Sequence, residues 1–151
     1  MEIHRAKPED AVALTEIAFA AKRHWGYPEA WIQAWSEALT IQPQFIARNE
    51  TYVACLDGKT IGFYALVIGK DRASLEHLWV IPSAIGQGIG RALFDHAVQR
   101  TKALGVEGIE IESDPNAEKF YEQMGARRVS VNVTEIEGQS RSLPVLIYHC
   151  T

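Results

Sequence analysis

The sequence predicts an α/β fold in which a mixed, mostly antiparallel sheet is covered by helices on both faces. Two observations carry that expectation. The apolar residues keep a helical period up to about residue 39, alternate like strands from residue 51, and return to a helical period at 88–104. Turn signals then divide the chain into segments that read β-α-α-β-β-β-α-β-α-β-β. At 151 residues the chain has the length of one ordinary domain, so it reads as a single domain over 1–151. Its 47% hydrophobic and 23% charged residues argue against a disordered, fibrous or membrane-embedded chain.

Residues 2–6 form a short alternating strand. Pro8, Glu9 and Asp10 then open a helix, where a missing donor and two acids suit the first turn. Its expected apolar stripe is Val12, Ala13, Ile17 and Ala20. His24-Trp25-Gly26-Tyr27-Pro28 interrupts this helix, and a second stretch, with Trp31 and Trp35 on one face, runs to about Leu39. Strands follow at 51–56, 61–68 and 74–81, joined through Asp57-Gly58 and Gly69-Lys70-Asp71 as an antiparallel meander. Residues 88–104 read as a helix burying Ile89, Leu93, Ala97 and Leu104 and ending at Gly105. A strand at 107–112, a helix at 115–124 closed by Gly125, and a hairpin about Glu137-Gly138-Gln139 complete the chain.

Nineteen acidic and fifteen basic residues give a formal charge of −4, without the basic surplus of a general nucleic-acid binder. Neither Cys55 nor Cys150 sits in a CxxC pair or at zinc-ligand spacing, so no metal site or disulfide framework is expected, and both read as buried, inert thiols. No apolar run resembles a signal peptide or spans a bilayer. The expected setting is cytoplasmic, with no membrane or nucleic-acid partner.

Between the strand ending near Ile81 and the helix beginning near Gly88 lies Ile85-Gly86-Gln87-Gly88-Ile89-Gly90-Arg91. Glycines at such a junction let backbone N–H groups approach a phosphate closely, and the helix dipole favours the anion. A phosphorylated cofactor is the natural ligand class. No Lys-Ser/Thr follows, which excludes a Walker loop, and Arg91 stands where the dinucleotide fingerprint needs its third glycine.

Leu75-Glu76-His77-Leu78-Trp79-Val80, this loop, and Asn116-Ala117-Glu118-Lys119-Phe120-Tyr121-Glu122-Gln123-Met124-Gly125 together resemble the GNAT superfamily of N-acetyltransferases. The resemblance is strong over about 51–128 and weak before it. It implies a GNAT-like fold and an acetyl-coenzyme A dependent transferase that acetylates a primary amine of a small molecule by direct attack on the thioester. A protein or peptide N-acetyltransferase and a non-catalytic acyl-coenzyme A binding module are the alternatives, and a homodimer is compatible with the pattern. The implied cofactor contacts are Leu78, Trp79, Val80, Gly86, Gln87, Gly88, Ile89, Gly90, Arg91 and Asn116. The family loop has Gln or Arg where this chain has Ile85, so Gln87 and Arg91 are candidate substitutes. Its Asn before the following helix falls on Asp114, which leaves open whether Asp114 or Asn116 meets the cofactor.

Acyl transfer to an amine needs a neutral nucleophile, a stabilised oxyanion and a protonated leaving thiolate. An alkylammonium with pKa about 10.4 is neutral roughly once in 2500 at pH 7, so a base is required. By resemblance Glu76 is that base, with His77 or an ordered water the other candidates. Strand alternation puts Glu76 and His77 on opposite faces. Tyr121 resembles the family tyrosine that protonates the departing thiolate, and an N–H near Val80 would hold the oxyanion. The acceptor side is written in His24-Trp25-Gly26-Tyr27 and in Trp31, Trp35 and Glu37, where aromatics with a few acids could enclose a cation or an aromatic amine.

Overall fold

The computed structural model describes residues 1–150. Seven strands form one sheet in the order β1-β2-β3-β4-β5-β7-β6. They are β1 (Glu2–Arg5), β2 (Glu50–Leu56), β3 (Lys59–Ile68), β4 (Ala73–Val80), β5 (Gly108–Glu112), β6 (Arg127–Ile136) and β7 (Gln139–His149). Among the described residues six α-helices accompany them: α1 (Ala11–His24), α2 (Glu29–Ala34), α3 (Ser36–Leu39), α4 (Pro43–Arg48), α5 (Ile89–Ala103) and α6 (Glu118–Gln123). Every strand pairing is antiparallel except β4 with β5. The hairpins β2–β3 and β6–β7 turn on Asp57-Gly58 and Glu137-Gly138, all four residues at positive φ, as the two-residue turn that matches strand twist requires.

The sheet is covered on both faces, as expected. One core packs α5 and α6 through Leu93, Phe94 and Tyr121 against Tyr64, Ile109 and Leu146. The other packs α1, α3 and α4 through Leu14, Ala18, Leu39 and Ile46 against Val53 and Phe63.

Four expectations are corrected. In α1 the buried residues are Ala11, Leu14, Ile17, Ala18, Ala21 and Lys22, while Val12 is 72% exposed. The helix is rotated because its first turn begins on Ala11, which packs in the second core. At the end of α5, Ile89, Leu93 and Ala97 are buried as expected, but Leu104 lies past the last turn and is exposed. Helix α4 adds an element between the two N-terminal helical stretches and β2, with Pro43 in its first turn. Cys150 is buried, whereas Cys55 is only half-buried, and its sulfur lies 3.7 Å from the Thr60 hydroxyl.

Candidate active site

The two parallel strands at the middle of the sheet separate. β4 meets β5 only at Ala73 with Ile109 and Ser74 with Glu110, so the rest of β4, Leu75 to Val80, has no strand beside it on that edge. Ile81 donates its N–H to Ile61 across β3 at 2.9 Å. Backbone N–H groups alternate sides along a strand, so those of Val80 and Leu78 face away from β3, into the wedge between β4 and β5.

Directly after β4, the chain enters the glycine loop. Among the described residues, the N–H groups of Gly86 through Arg91 make no hydrogen bond within the chain. Gly86 and Gly88 have φ of +86° and +79°, and a Cβ on either would meet nothing within 4 Å. They are needed for backbone conformation and leave an open shelf, not a packed contact. Gly88 caps α5 without a side-chain partner, so the helix end adds its dipole to a row of free donors. Such a shelf fits the pyrophosphate of a coenzyme A. Gly90 differs, because a Cβ there would meet the Phe120 ring at 3.4 Å. Arg91 and Gln87 are exposed beside the shelf, with Gln87 Nε2 3.5 Å from the Ser83 carbonyl, and Ile89 is buried.

Tyr121 stands on α6 with its ring against Phe94 and Phe120. Among the described residues its hydroxyl has no hydrogen-bond partner, yet none of their side-chain oxygens or nitrogens is both sealed and unpartnered. The hydroxyl therefore reaches open space. Burial, reinforced by the nearby Asp114 charge, pushes its pKa above the ordinary phenol value, so it holds its proton.

A bulge changes the geometry of β4. Ala65 pairs with His77 but Leu66 with Leu75, which leaves Glu76 as the extra residue. Leu75 and Leu78 consequently share the α5 core although three residues apart. Glu76 accepts from the Ser74 hydroxyl at 3.0 Å, while His77 packs between Phe45 and Phe63 of the opposite core. The expected separation of Glu76 and His77 onto opposite faces is thus wrong, because the bulge inserts a residue and breaks the two-residue period. Glu76 is exposed. Burial drives the His77 pKa down to about 4, and its Nδ1 accepts the Trp79 indole N–H at 3.0 Å, so the ring is a neutral support for Trp79.

Beyond Trp79 lies a network that joins α1 and β7 with the segments after α1 and after β5. Lys22 donates to Asp114 at 2.7 Å, and Tyr27 to the same carboxylate at 2.9 Å. Asn116 adds its backbone N–H at 2.9 Å and its side-chain amide at 3.0 Å. Arg141 of β7 donates to the Tyr27 oxygen at 2.9 Å. Aromatic rings surround both cations. Lys22 Nζ is 4.2 Å from the Trp35 ring centre and 6.0 Å from that of Trp79, and the Arg141 guanidinium is 4.9 Å from Trp35 and 5.0 Å from Tyr27. Burial lowers the Lys22 pKa by more than its bond to Asp114 raises it, and Arg141 adds to the lowering. Burial also works to raise Asp114, but the Lys22 charge and the donors around the carboxylate outweigh it and hold it below the usual value. Tyr27 is pushed up to about 12 by burial and by the Asp114 charge.

The profile of the acetyltransferase (GNAT) family matches residues 13–126. This chain belongs to that family. The expected enzyme class, an acetyl-coenzyme A dependent N-acetyltransferase, follows from that membership. Among GNAT relatives, the chain is similar to the peptidyl-lysine N-acetyltransferase YiaC of Escherichia coli, 27% identical over 124 residues, which are 82% of this chain and 81% of that protein. It is 32% identical over 95 residues to mycothiol acetyltransferase of Propionibacterium freudenreichii, covering 58% of this chain but only 28% of that longer protein. The fold is shared with the PaiA N-acetyltransferase of Thermoplasma acidophilum, solved with coenzyme A, at TM-score 0.80 and 22% identity over 98% of both chains. The ribosomal-protein-S18-alanine N-acetyltransferase of Escherichia coli superposes at TM-score 0.75 with 20% identity, over 99% of this chain and 94% of that one.

Within this GNAT chain the fold gathers Leu78, Trp79, Val80 and the 86–91 loop around the open edge of β4, with Tyr121 on α6. Asp114 is enclosed by donors, whereas Asn116 is exposed. Trp25, 42% exposed, and Glu37, also exposed, take no part in the aromatic cluster. Lys22 and Arg141 were not singled out in the sequence. A lysine in the first helix reads as a solvated residue, and no local signal marks it as buried.

Proposed function

We propose that this GNAT enzyme, as one domain over 1–151, transfers the acetyl group of acetyl-coenzyme A to a primary amine of a small molecule. Acetyl-coenzyme A, when bound, supplies an acyl group activated as a thioester. The N–H groups of Gly86 through Arg91 bind the pyrophosphate, and the free edge of β4 at Leu78, Trp79 and Val80 binds the pantetheine arm. The Val80 N–H donates to the carbonyl oxygen as that oxygen gains charge. Glu76, directly or through water, takes the proton the amine releases as its nitrogen bonds to the acyl carbon. Tyr121 gives its proton to the sulfur as the carbon–sulfur bond breaks, which suits a phenol that burial keeps protonated.

One observation carries the choice of a small acceptor. The rings of Tyr27, Trp31 and Trp35 pack on one another and against Arg141, so helix α2 and the β6–β7 hairpin meet beside Trp79 and narrow that side of the site. A peptidyl-lysine acceptor is the second reading, supported by the similarity to YiaC. No helix among the described residues is long and apolar enough to cross a membrane. A cytoplasmic setting is part of the proposal, and a homodimer is compatible with it. The test is thiol release from acetyl-coenzyme A across polyamines, aminoglycosides, amino acids and short lysine peptides. Release with peptides alone would replace the first reading by the second.

A further inference from the structure

The cluster at the end of β5 carries an unbalanced charge. Lys22 and Arg141 bring two positive charges, and Asp114 brings one negative; their side chains are 11%, 10% and 10% exposed. Taking a cation out of water without a counter-charge is costly, so such a site favours an anion. Asp114 does not satisfy Arg141. The carboxylate already accepts from Lys22, Tyr27 and Asn116, and it lies 3.7 Å from the nearest Arg141 nitrogen, beyond hydrogen-bond distance. Among the described residues Arg141 makes one hydrogen bond, to the Tyr27 oxygen, which leaves most of a five-donor fork without partners there. None of those donors is sealed, since no buried side-chain nitrogen among the described residues lacks a partner. Each of them therefore keeps some contact with solvent.

Position gives this fork its meaning. The cluster reaches Trp79 on β4 through Lys22, and the Asp114 charge acts on Tyr121. It stands on the α1 side of the sheet, the face that also carries Glu76, while the glycine loop and α5 belong to the other face. The rings of Tyr27, Trp31 and Trp35 lie within 5.0, 6.0 and 4.9 Å of the guanidinium and hold it in place.

We infer that Arg141, set by Tyr27 and backed by Lys22, is a specificity-determining residue that binds a carboxylate of the acceptor, so that the acetylated molecule is an amino acid or another amine bearing a carboxylate. The inference rests on the small-amine reading above. A planar guanidinium matches a carboxylate through paired hydrogen bonds, and one carboxylate balances the single surplus charge, whereas a phosphate dianion overshoots it. The aromatics of this side thus enclose the protein's own cations and not a cationic substrate.

The experiment compares amino acids with their amides. The full-length protein is assayed by thiol release with acetyl-coenzyme A and α-amino acids, β-alanine and 4-aminobutyrate, each beside the matching carboxamide. The acids are expected to exceed the amides in kcat/KM by about 30-fold or more, mainly through KM. Arg141→Gln should reduce that ratio to within about threefold, and Arg141→Lys should restore only part of it because lysine lacks the fork. Equal turnover of acids and amides overturns the inference and leaves the small-amine reading standing. An undiminished ratio in Arg141→Gln overturns it equally. Turnover confined to lysine peptides removes the small-amine reading and this inference together. If Arg141→Gln does not fold, the comparison on the unaltered protein decides.

Discussion

Replacing Tyr121 by phenylalanine separates the chemistry of this site from its binding. The ring is held by Phe94 and Phe120, and the hydroxyl makes no hydrogen bond with the described residues. Phenylalanine keeps the packing and leaves no buried partner unsatisfied, so stability should change by less than about 1 kcal/mol. Affinity for acetyl-coenzyme A, measured by calorimetry, should stay within about twofold. The loss falls on the proton transfer, where a positioned acid contributes roughly 10²- to 10⁴-fold, or about 2.7–5.4 kcal/mol of barrier. Because burial raises the phenol's pKa, the tyrosine remains protonated through neutral and mildly alkaline pH. The parent rate should therefore not decline there on account of this group. Single-turnover rates at saturating cofactor and acceptor are the proper readout, since slow product release would hide part of the effect. A Tyr121→Phe protein with full single-turnover activity refutes the proton-donor role.

Gly88 has a left-handed backbone and open space around it. Gly88→Ala should cost about 1 kcal/mol of stability, while Gly88→Glu should abolish acetyl-coenzyme A binding in a folded protein; calorimetry and thermal melts together distinguish the two effects. Gly90→Glu is a less clean probe of the same shelf because of the Phe120 ring beside it. Glu76→Gln should lower turnover most at low pH, where the amine is most fully protonated, and an unaltered pH–rate profile would move the base role to water. His77 takes a proton near 6.5 when unfolded but only at about 4 when folded, so protons favour the unfolded chain. Stability should fall by about 2–3 kcal/mol on its account as pH drops from 6.5 to 4, and urea melts of His77→Asn should show that slope flattened.

The strands were legible because their signals are local. Asp57-Gly58 and Glu137-Gly138 have the positive φ that their turns demand, and both joined the strands expected. Gly88 likewise marked the start of α5. What failed was periodicity read without its exceptions. In α1 the buried stripe moved because several small residues, Ala11, Ala13, Ala18, Ala20 and Ala21, fit either face, and only contact with the sheet chose between them. Helix α4 is one turn and a half with a single fully buried residue, Ile46, too short to show a period; Pro43 at its start was the readable sign. The β4 bulge has no sequence mark at all. It depends on how Ala65 and Leu66 of the neighbouring strand meet Leu75 and His77, and it decides on which face Glu76 stands.

The site divides along the same line. Its proposed cofactor half is a continuous loop, 86–91, whose chemistry lies in the backbone and whose glycines declare it. Its proposed acceptor half is assembled from residues far apart in the chain: Lys22 meets Asp114 across 92 positions and Tyr27 meets Arg141 across 114. Aromatic residues in the sequence suggested an enclosure for a cation or an aromatic amine, and the rings do gather, but around Lys22 of α1 and Arg141 of β7. A ring face draws a cation in, and a buried cation draws an anion after it. On the inference above the visiting charge is negative, the opposite of what the aromatics alone suggest. That expectation rests on two basic side chains that only the folded sheet brings together, and on an Asp114 whose capacity is already taken.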